Sequence, residues 1–269
     1  MKMITRVSTP ESVKELSMDL RPFISGGLHG GLVQLELGDQ QSGDANDWVK
    51  DGEVSFPGTT FQQLRCDTGD GTFLYRTVIA RPGYFLCIFD SIAEGSLDYA
   101  WPDSPAIWKS EKFETNSGTP APQVCLFARM EEAKWKVSLA DNRFIRFAKM
   151  REGYLIGLGA REGETSLRNI HLKAEAFWLN EHAFSLLNAT SLSYSGRLIL
   201  ESPAPVSLEI DVVSGTATLQ GTPGSHAILH GGNMPHEVDL FDGQTEVEIT
   251  GLCRKSDWWN VVMAAVKNL

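Results

Sequence analysis

The sequence predicts an all-β protein, built as an antiparallel β-sandwich with a short helix near each end. From Glu53 onward, β-type runs recur about every dozen residues, and Gly, Pro, Asn, Asp and Ser separate them, which is typical of sandwiches and barrels. Only two segments carry a helical signal. The length allows one large all-β domain or two small ones, and we predict a single domain over residues 1–269.

The centre of the predicted sheet is a hairpin over residues 72–92. Residues 73–80 alternate in the manner of a β-strand, and residues 84–89 are nearly all apolar, as expected for a strand deep in a core. Arg81-Pro82-Gly83 stands between them, and there proline fixes φ while glycine can adopt the positive φ of a tight turn.

Near the N-terminus, residues 1–7 are predicted as an edge strand or an arm, and residues 10–20 as a helix. The helix prediction rests on Thr9 as N-cap, Pro10 at the first helical position and Glu11 in the first turn.

The sandwich is predicted to cover residues 25–250. It begins after a segment with four glycines around His29, and a density of glycine of this kind permits sharp turns or close backbone approach. A strand over 32–37 and a polar, acidic loop over 38–52, which contains Trp48, come next. The further predicted strands are 60–66, 73–80, 84–92, 97–101, 122–128, 134–139, 143–149, 153–158, 168–178, 190–200, 205–212, 216–220, 226–230, 236–241 and 245–250.

The last segment, residues 251–269, changes to a helical period. Ser256 can cap a helix, and one apolar stripe with spacing i, i+3, i+4, i+7 predicts that this helix docks on a sheet or on a second chain. The stripe consists of Trp258, Val261, Val262, Ala265, Val266 and Leu269.

Composition narrows the range of partners. The net charge of −10 and a pI near 5.1, without a cluster of Lys and Arg, argue against a nucleic-acid partner but leave an anionic polysaccharide open. No apolar run reaches the length of a signal peptide or of a membrane span, so we expect a soluble chain without a membrane partner, and its location is not determined.

The four cysteines form no CxxC pair, so neither a disulfide framework nor a zinc framework is indicated. Cys87, within the apolar run, is expected to be a small buried hydrophobe. No cofactor is predicted.

One stretch carries a resemblance to a known family. The run YRTVIARPGYFLCIFDSI, followed by DYAW, resembles the β-rich C-terminal part of heparinase II/III-type polysaccharide lyases. Residues 176–190, 196–202 and 205–211 are similar to the paired strands that close such domains. The resemblance implies a supersandwich of stacked antiparallel sheets that acts on, or binds, an acidic polysaccharide.

Two departures from the family pattern stand out. The chain is too short to hold the α-helical toroid that supplies most of the catalytic acid–base residues in those lyases. The segment GGLHGGLVQLEL occupies the place of a His-rich, Asp-containing stretch, and it has one histidine and no nearby acid.

A lyase needs a base, a group that neutralises the uronic carboxylate and an acid for the leaving oxygen. The residues that we nominate for this catalytic work are His29, Tyr75 and Arg76. Imidazole titrates near neutrality, which suits His29 as a base, whereas a loop histidine with a backbone hydrogen bond is the alternative.

Arg76 has two interpretations. A buried Arg76 needs an acid such as Asp90 or Asp98, and a structural ion pair of this kind is favoured. An exposed Arg76 would instead suit a carboxylate or sulfate in bidentate fashion.

Aromatic side chains are candidates for ligand binding because the C–H faces of sugars stack on the negative faces of aromatic rings. Together with Arg76, a set of residues in or beside predicted loops and strand ends could line a groove for an acidic sugar. These residues are Trp48, Tyr99, Trp101, Trp108 and Lys109.

Three histidines near the end of the chain could in principle hold zinc. His226 and His230 share one face of a strand, and His236 could return across a turn, although nothing in the sequence fixes that geometry. We predict no metal, and a solvated turn is the favoured interpretation.

The sequence therefore predicts a carbohydrate-active or carbohydrate-binding β-sandwich. Its ligand would be a polysaccharide or oligosaccharide. If it is an enzyme, it is a polysaccharide lyase completed by residues of this chain or by a partner, which would be a catalytic partner chain or a second copy. The alternative is a structural or assembly protein that forms an oligomer without binding glycan, since a fold does not dictate a function.

Overall fold

The structure is a computed structural model whose described part is entirely strand, turn and loop. The chain divides into two compact units, Met1–Glu132 and Ala133–Leu269. The prediction of one domain over the whole chain stays a prediction. The described residues are 2–10, 13–19, 48–81, 84–92, 96–100, 107–109, 123–128, 136–140, 144–149, 152–160, 163–167, 170–180, 182–231 and 234–249.

The first unit contains two antiparallel sheets. Strands are numbered in chain order, and the orders are β2-β1-β7 in a three-stranded sheet and β3-β4-β5-β6-β9-β8 in a six-stranded sheet. The strands are β1 Lys2–Ser8, β2 Val13–Asp19, β3 Trp48–Phe56, β4 Thr59–Asp67, β5 Phe73–Arg81, β6 Phe85–Ile92, β7 Ser96–Ala100, β8 Ile107–Lys109 and β9 Gln123–Ala128.

These two sheets pack face to face. One buried apolar cluster takes residues from β1, β2 and β7 of the smaller sheet and from β4, β5 and β6 of the larger one, which is the arrangement of a β-sandwich. Its members are Val7, Leu16, Cys66, Leu74, Ile92 and Leu97.

The N-terminal helix prediction is wrong, because residues 13–19 form strand β2. Leu16 and Met18 are buried whereas Val13 and Glu15 are exposed, so the burial follows the period of two of a strand. The cap and proline signal at Thr9 and Pro10 lies between β1 and β2 instead of starting a helix. Strand β1 is also not an edge, since it pairs with both β2 and β7.

The central hairpin is confirmed. Strands β5 and β6 occupy the middle of the six-stranded sheet and pair antiparallel up to Arg81 opposite Phe85. The N–H of Tyr84 donates to the carbonyl of Arg81 at 3.0 Å, which closes the turn. Cys87 is buried, as expected, and burial raises the pKa of its thiol well above the ordinary value.

Strand β3 carries an irregularity. Its register against β4 shifts between Lys50 and Gly52, which leaves Asp51 as an extra residue. A β-bulge of this kind bends the strand and increases its twist. Lys50 forms an ion pair with Glu53 on the same strand.

The described residues of the second unit form one branched antiparallel sheet of twelve strands. Its main path is β10-β11-β12-β15-β16-β17-β18-β21, while β13 and β14 pair beside β16, and β19 and β20 pair beside β17. The strands are β10 Lys136–Ala140, β11 Phe144–Lys149, β12 Glu152–Leu158, β13 Thr165–Leu167, β14 Ile170–Lys173, β15 Ala176–Leu179, β16 Ala183–Tyr194, β17 Arg197–Asp211, β18 Thr216–Gly221, β19 His226–Gly231, β20 Met234–Asp239 and β21 Thr245–Glu248.

The long strands β16 and β17 belong to both branches. One half of β17 pairs with β19 and the other half with β18, and the β16–β17 register shifts around Ala189. A single buried cluster contains Leu208 from the main path and Leu229 from the branch, so the branched sheet encloses one core. Strands that change partners at bends are a common way to turn such corners.

Most strand positions of this unit were predicted, but two of the predicted strands run across a boundary between elements. The prediction over residues 168–178 covers both β14 and β15, and residues 183–189 of β16 were not predicted as a strand. Residues 190–200 were predicted as one strand, but a hairpin turn at Ser195 and Gly196, both with positive φ, separates β16 from β17. The predicted C-terminal helix over 256–269 lies outside the described residues. The all-β, antiparallel fold class is confirmed for the part of the chain that is described.

Candidate functional site

Arg76 lies on β5 and points between the two sheets of the first unit, where it is 1% exposed. Its Nε and Nη2 donate to Oδ1 and Oδ2 of Asp90, both at 2.7 Å, and Asp90 stands directly opposite on β6. This bidentate geometry gives the strongest form of an arginine–carboxylate contact. The structure therefore has the buried ion pair that the sequence favoured.

Groups from three other strands complete the surroundings of Arg76. Its Nη2 also donates to Oγ1 of Thr5 at 2.7 Å, Nη1 contacts Sδ of Met18 at 3.3 Å, and Cζ lies 4.5 Å from the ring centroid of Trp48. Because the guanidinium is enclosed in this way, a ligand carboxylate cannot reach it in this structure.

Trp48, a predicted ligand-binding residue, lies on the same inner side. Its ring is half-buried, packs against the apolar cluster between the sheets and makes the cation–π contact with Arg76. Its Nε1 is buried and has no hydrogen-bond partner among the described residues. The contacts of Trp48 are those of a core residue.

Tyr75 lies on the opposite side of the sheet, because successive residues of a strand alternate between faces. Its side chain is 47% exposed. The ladder places Tyr75 in a row that crosses four strands on this outer face. The members of the row are Val49, Arg65, Tyr75 and Ser91.

Two neighbours extend this outer surface. The ring centroid of Phe73, two residues before Tyr75 on β5, lies 6.3 Å from that of Tyr75 with an interplanar angle of 43°. The guanidinium of Arg65 lies 5.9 Å from the Phe73 centroid, and its Nε is 3.0 Å from Oδ1 of Asp51. We call the surface formed by Arg65, Phe73 and Tyr75 the Tyr75 face.

The sequence identified only one of the three residues of the Tyr75 face. Phe73 could have been added from sequence, since the alternation over 73–80 already places it on the same side as Tyr75. Arg65 could not, because its position beside Tyr75 depends on the β4–β5 register, which the sequence leaves open.

The other nominated residues do not join Tyr75 among the described residues. His29 and Trp101 lie outside the described part of the chain, so the trio of His29, Tyr75 and Arg76 is represented by two residues that lie on opposite faces. For three further residues the backbone position alone is described. Tyr99 stands opposite Thr5, Trp108 opposite Leu126 and Lys109 opposite Cys125.

The three histidines near the end of the chain do not share one face. His236 stands opposite Leu229, a core residue, whereas His226 and His230 alternate with the core positions of β19. In the described ranges, no group of three or more His, Cys, Asp or Glu side chains is arranged to hold a metal ion.

A polar clamp fixes the turn between β4 and β5, next to Phe73. Oδ1 of Asp70 accepts hydrogen bonds from Oγ1 of Thr68 at 2.6 Å and from N–H of Thr72 at 2.9 Å, and its Oδ2 accepts one from Oγ1 of Thr9 at 2.5 Å. These bonds, with that of Thr68 the largest contribution, hold the pKa of Asp70 well below its usual value. The clamp joins β1 to the turn that borders the Tyr75 face.

In the part of the chain that the structure describes, the fold is all-β and antiparallel, and a six-stranded sheet presents an exposed aromatic face. In the described part of the chain, no helix is long and apolar enough to cross a membrane. No protein-family model matches this chain, and no curated protein matches it either.

Proposed function

We propose that this protein binds a polysaccharide or oligosaccharide, and that the Tyr75 face is its binding surface. The observation that carries the proposal is the pair of neighbouring rings, Tyr75 and Phe73, on the outer side of a central strand. Aromatic faces of this kind attract the C–H surface of sugars, and Arg65 beside them can donate hydrogen bonds to hydroxyl or acidic groups.

The proposal includes the relation to the β-rich part of heparinase-type polysaccharide lyases and the supersandwich arrangement. The all-antiparallel strands and the β5–β6 hairpin, which carries most of the resemblance, support it. The ligand of this class would be an acidic polysaccharide.

Of the binding and lyase versions, the binding version has the better support. A lyase needs a cation that meets the uronic carboxylate, and the nominated Arg76 is enclosed and paired with Asp90. A partner chain or a second copy would have to supply that group if the protein is part of an enzyme.

The test is retarded migration of the protein in gels that contain pectate, alginate, hyaluronan or carboxymethyl-cellulose. Replacing Tyr75 by alanine removes the more exposed of the two rings of the Tyr75 face, and we expect the affinity for the retaining polysaccharide to fall by about tenfold or more. Ultraviolet absorbance of an unsaturated product, followed in the same incubations, reports lyase activity.

Tyr84→Ala is the matched control. Tyr84 is 49% exposed and stacks with Arg81 at 4.2 Å, so it resembles Tyr75 in exposure and in having a cationic neighbour, but it lies at the other end of β5. Equal losses in the two variants would contradict a site on the Tyr75 face. Lack of retention by every polysaccharide, with a discrete oligomer in light scattering, would favour the structural or assembly alternative.

A further inference from the structure

The direction in which the two rings are arranged is the starting point. Phe73 and Tyr75 follow each other on one strand, so the line through their centroids runs along β5. In the row that crosses the strands through Tyr75, the other positions are Val49, Arg65 and Ser91, which offer no second ring. Stacking positions are therefore repeated along the strand and not across the sheet.

The exposed stretch is also short. At one end, Ile79 lies on the same side of β5 as Tyr75 and is fully buried, so the surface is already covered there. At the other end, β5 begins at Phe73, and the turn that Asp70 fixes lies immediately before it in the chain. Between this turn and Ile79, the residues that keep accessible surface on this side of the strand are Phe73, Tyr75 and the half-buried Thr77.

The tilt between the rings adds a further constraint. An interplanar angle of 43° means that one flat surface cannot lie against both rings at once. A crystalline polysaccharide presents a flat array of sugar rings, whereas an isolated chain can turn one sugar relative to the next about its glycosidic bond. The centroid separation of 6.3 Å is comparable with the spacing of neighbouring sugars in such a chain.

We infer that the Tyr75 face takes a single, isolated polysaccharide chain that lies along β5, with two linked sugars stacked on Tyr75 and Phe73. This inference rests on the proposed function and specifies the form of its ligand. It makes Phe73 the residue that recognises the second sugar. The smallest ligand with full affinity is then about two or three sugars long.

The experiment measures binding of the full chain, by titration calorimetry, to galacturonate, alginate and hyaluronan oligosaccharides of increasing length. We expect a second stacked sugar to raise the affinity by roughly 2- to 10-fold, with little gain beyond the third sugar. Phe73→Ala should remove that gain, and Phe73→Tyr, which keeps the ring, should restore it. Melting curves of both variants serve as the control for correct folding.

A second comparison tests the form of the ligand with one backbone in two states. Soluble carboxymethyl-cellulose should bind more tightly than surface-oxidised crystalline cellulose, which also carries carboxylates. Length-independent binding that still requires Tyr75, or preference for the crystalline form, overturns the inference but leaves the proposed function intact. Binding that is unaffected by Tyr75→Ala overturns both.

Discussion

At the scale of single residues, the enclosed Arg76–Asp90 pair makes the clearest prediction. Replacing Asp90 by alanine leaves a guanidinium buried without its counter-charge, and the loss of one partner of a buried pair costs about 3–5 kcal/mol. We expect the free energy of unfolding, measured in urea, to fall by this amount.

A double variant provides the control for that experiment. In Arg76→Met, Asp90→Leu both charges are replaced by apolar side chains of similar size, and such replacements are often neutral or stabilising. The double variant should therefore be more stable than Asp90→Ala. If Asp90→Ala has the same midpoint of urea unfolding as wild type, the ion pair does not stabilise the fold.

Asp70 predicts a dependence of stability on pH. Its pKa is lower in the folded chain than the ordinary value of 3.8, so the stabilisation is fully present above that value and is lost progressively as the pH falls below it. Wild type should have a higher Tm than Asp70→Asn at neutral pH, and the difference should shrink below about pH 4. A difference in Tm that stays constant down to strongly acidic pH would contradict this assignment.

The residue scale also shows what the sequence could and could not predict. The pairing of Arg76 with Asp90 was among the expected alternatives, because an arginine that alternates with apolar residues needs an acid nearby. Which of the two faces of β5 points outwards was not predictable, since both carry apolar residues. The alternation over residues 73–80, however, already places Tyr75 and Arg76 on opposite faces whichever face points outwards, and their nomination for one site did not use that signal.

At the scale of elements, local signals failed where tertiary pairing decides. The proline and cap signal at residues 9–11 fits a turn as well as a helix start, and the alternation of Leu16 and Met18 with polar residues carried the better information. The Ser195-Gly196 turn was visible as a Ser-Gly dipeptide but was read as part of a strand. The branching of β17 depends on long-range pairing and leaves no local trace.

The close packing of Gly159 against the backbone of Ala174 leads to a prediction about the second unit. Gly159 follows β12 and donates its N–H to the carbonyl of Glu175 at 2.9 Å, and a Cβ added at Gly159 would overlap the backbone carbonyl oxygen of Ala174. Backbone atoms cannot move aside without breaking the contact between β12 and the start of β15. We therefore expect Gly159→Ala to destabilise the second unit by about 3 kcal/mol or more.

The control is Gly52→Ala, for which the nearest atom to the added Cβ is the flexible end of the Gln63 side chain at 3.2 Å. The free energy of unfolding of this variant should lie within about 1 kcal/mol of the wild-type value. Chemical denaturation of the two variants side by side measures the contrast, and equal stability of both would show that the strand contact at Gly159 is dispensable.

At the scale of the whole molecule, each compact unit has its own apolar core. Leu74 belongs to the cluster of the first unit, and Leu208 belongs to the cluster of the second. Truncation of a buried leucine to alanine costs about 2–5 kcal/mol. We predict that calorimetry resolves two unfolding transitions. Leu74→Ala should lower the Tm of one transition, and Leu208→Ala should lower the Tm of the other. If there is a single transition and both variants lower its Tm, the chain unfolds as one cooperative domain.

The bulge in β3 has a consequence for how the protein behaves at high concentration. An exposed edge strand is a template to which a second molecule can add its own strand, and long, regular edges promote aggregation. Among the described strands β3 stands at the end of its sheet. The extra residue Asp51 breaks the regular spacing of the backbone groups on its outer side, and Lys50 and Glu53 place charges beside the break. A strand from a second molecule would have to pair with an irregular, charged edge at this point. We therefore expect the bulge to disfavour self-association of the six-stranded sheet through β3.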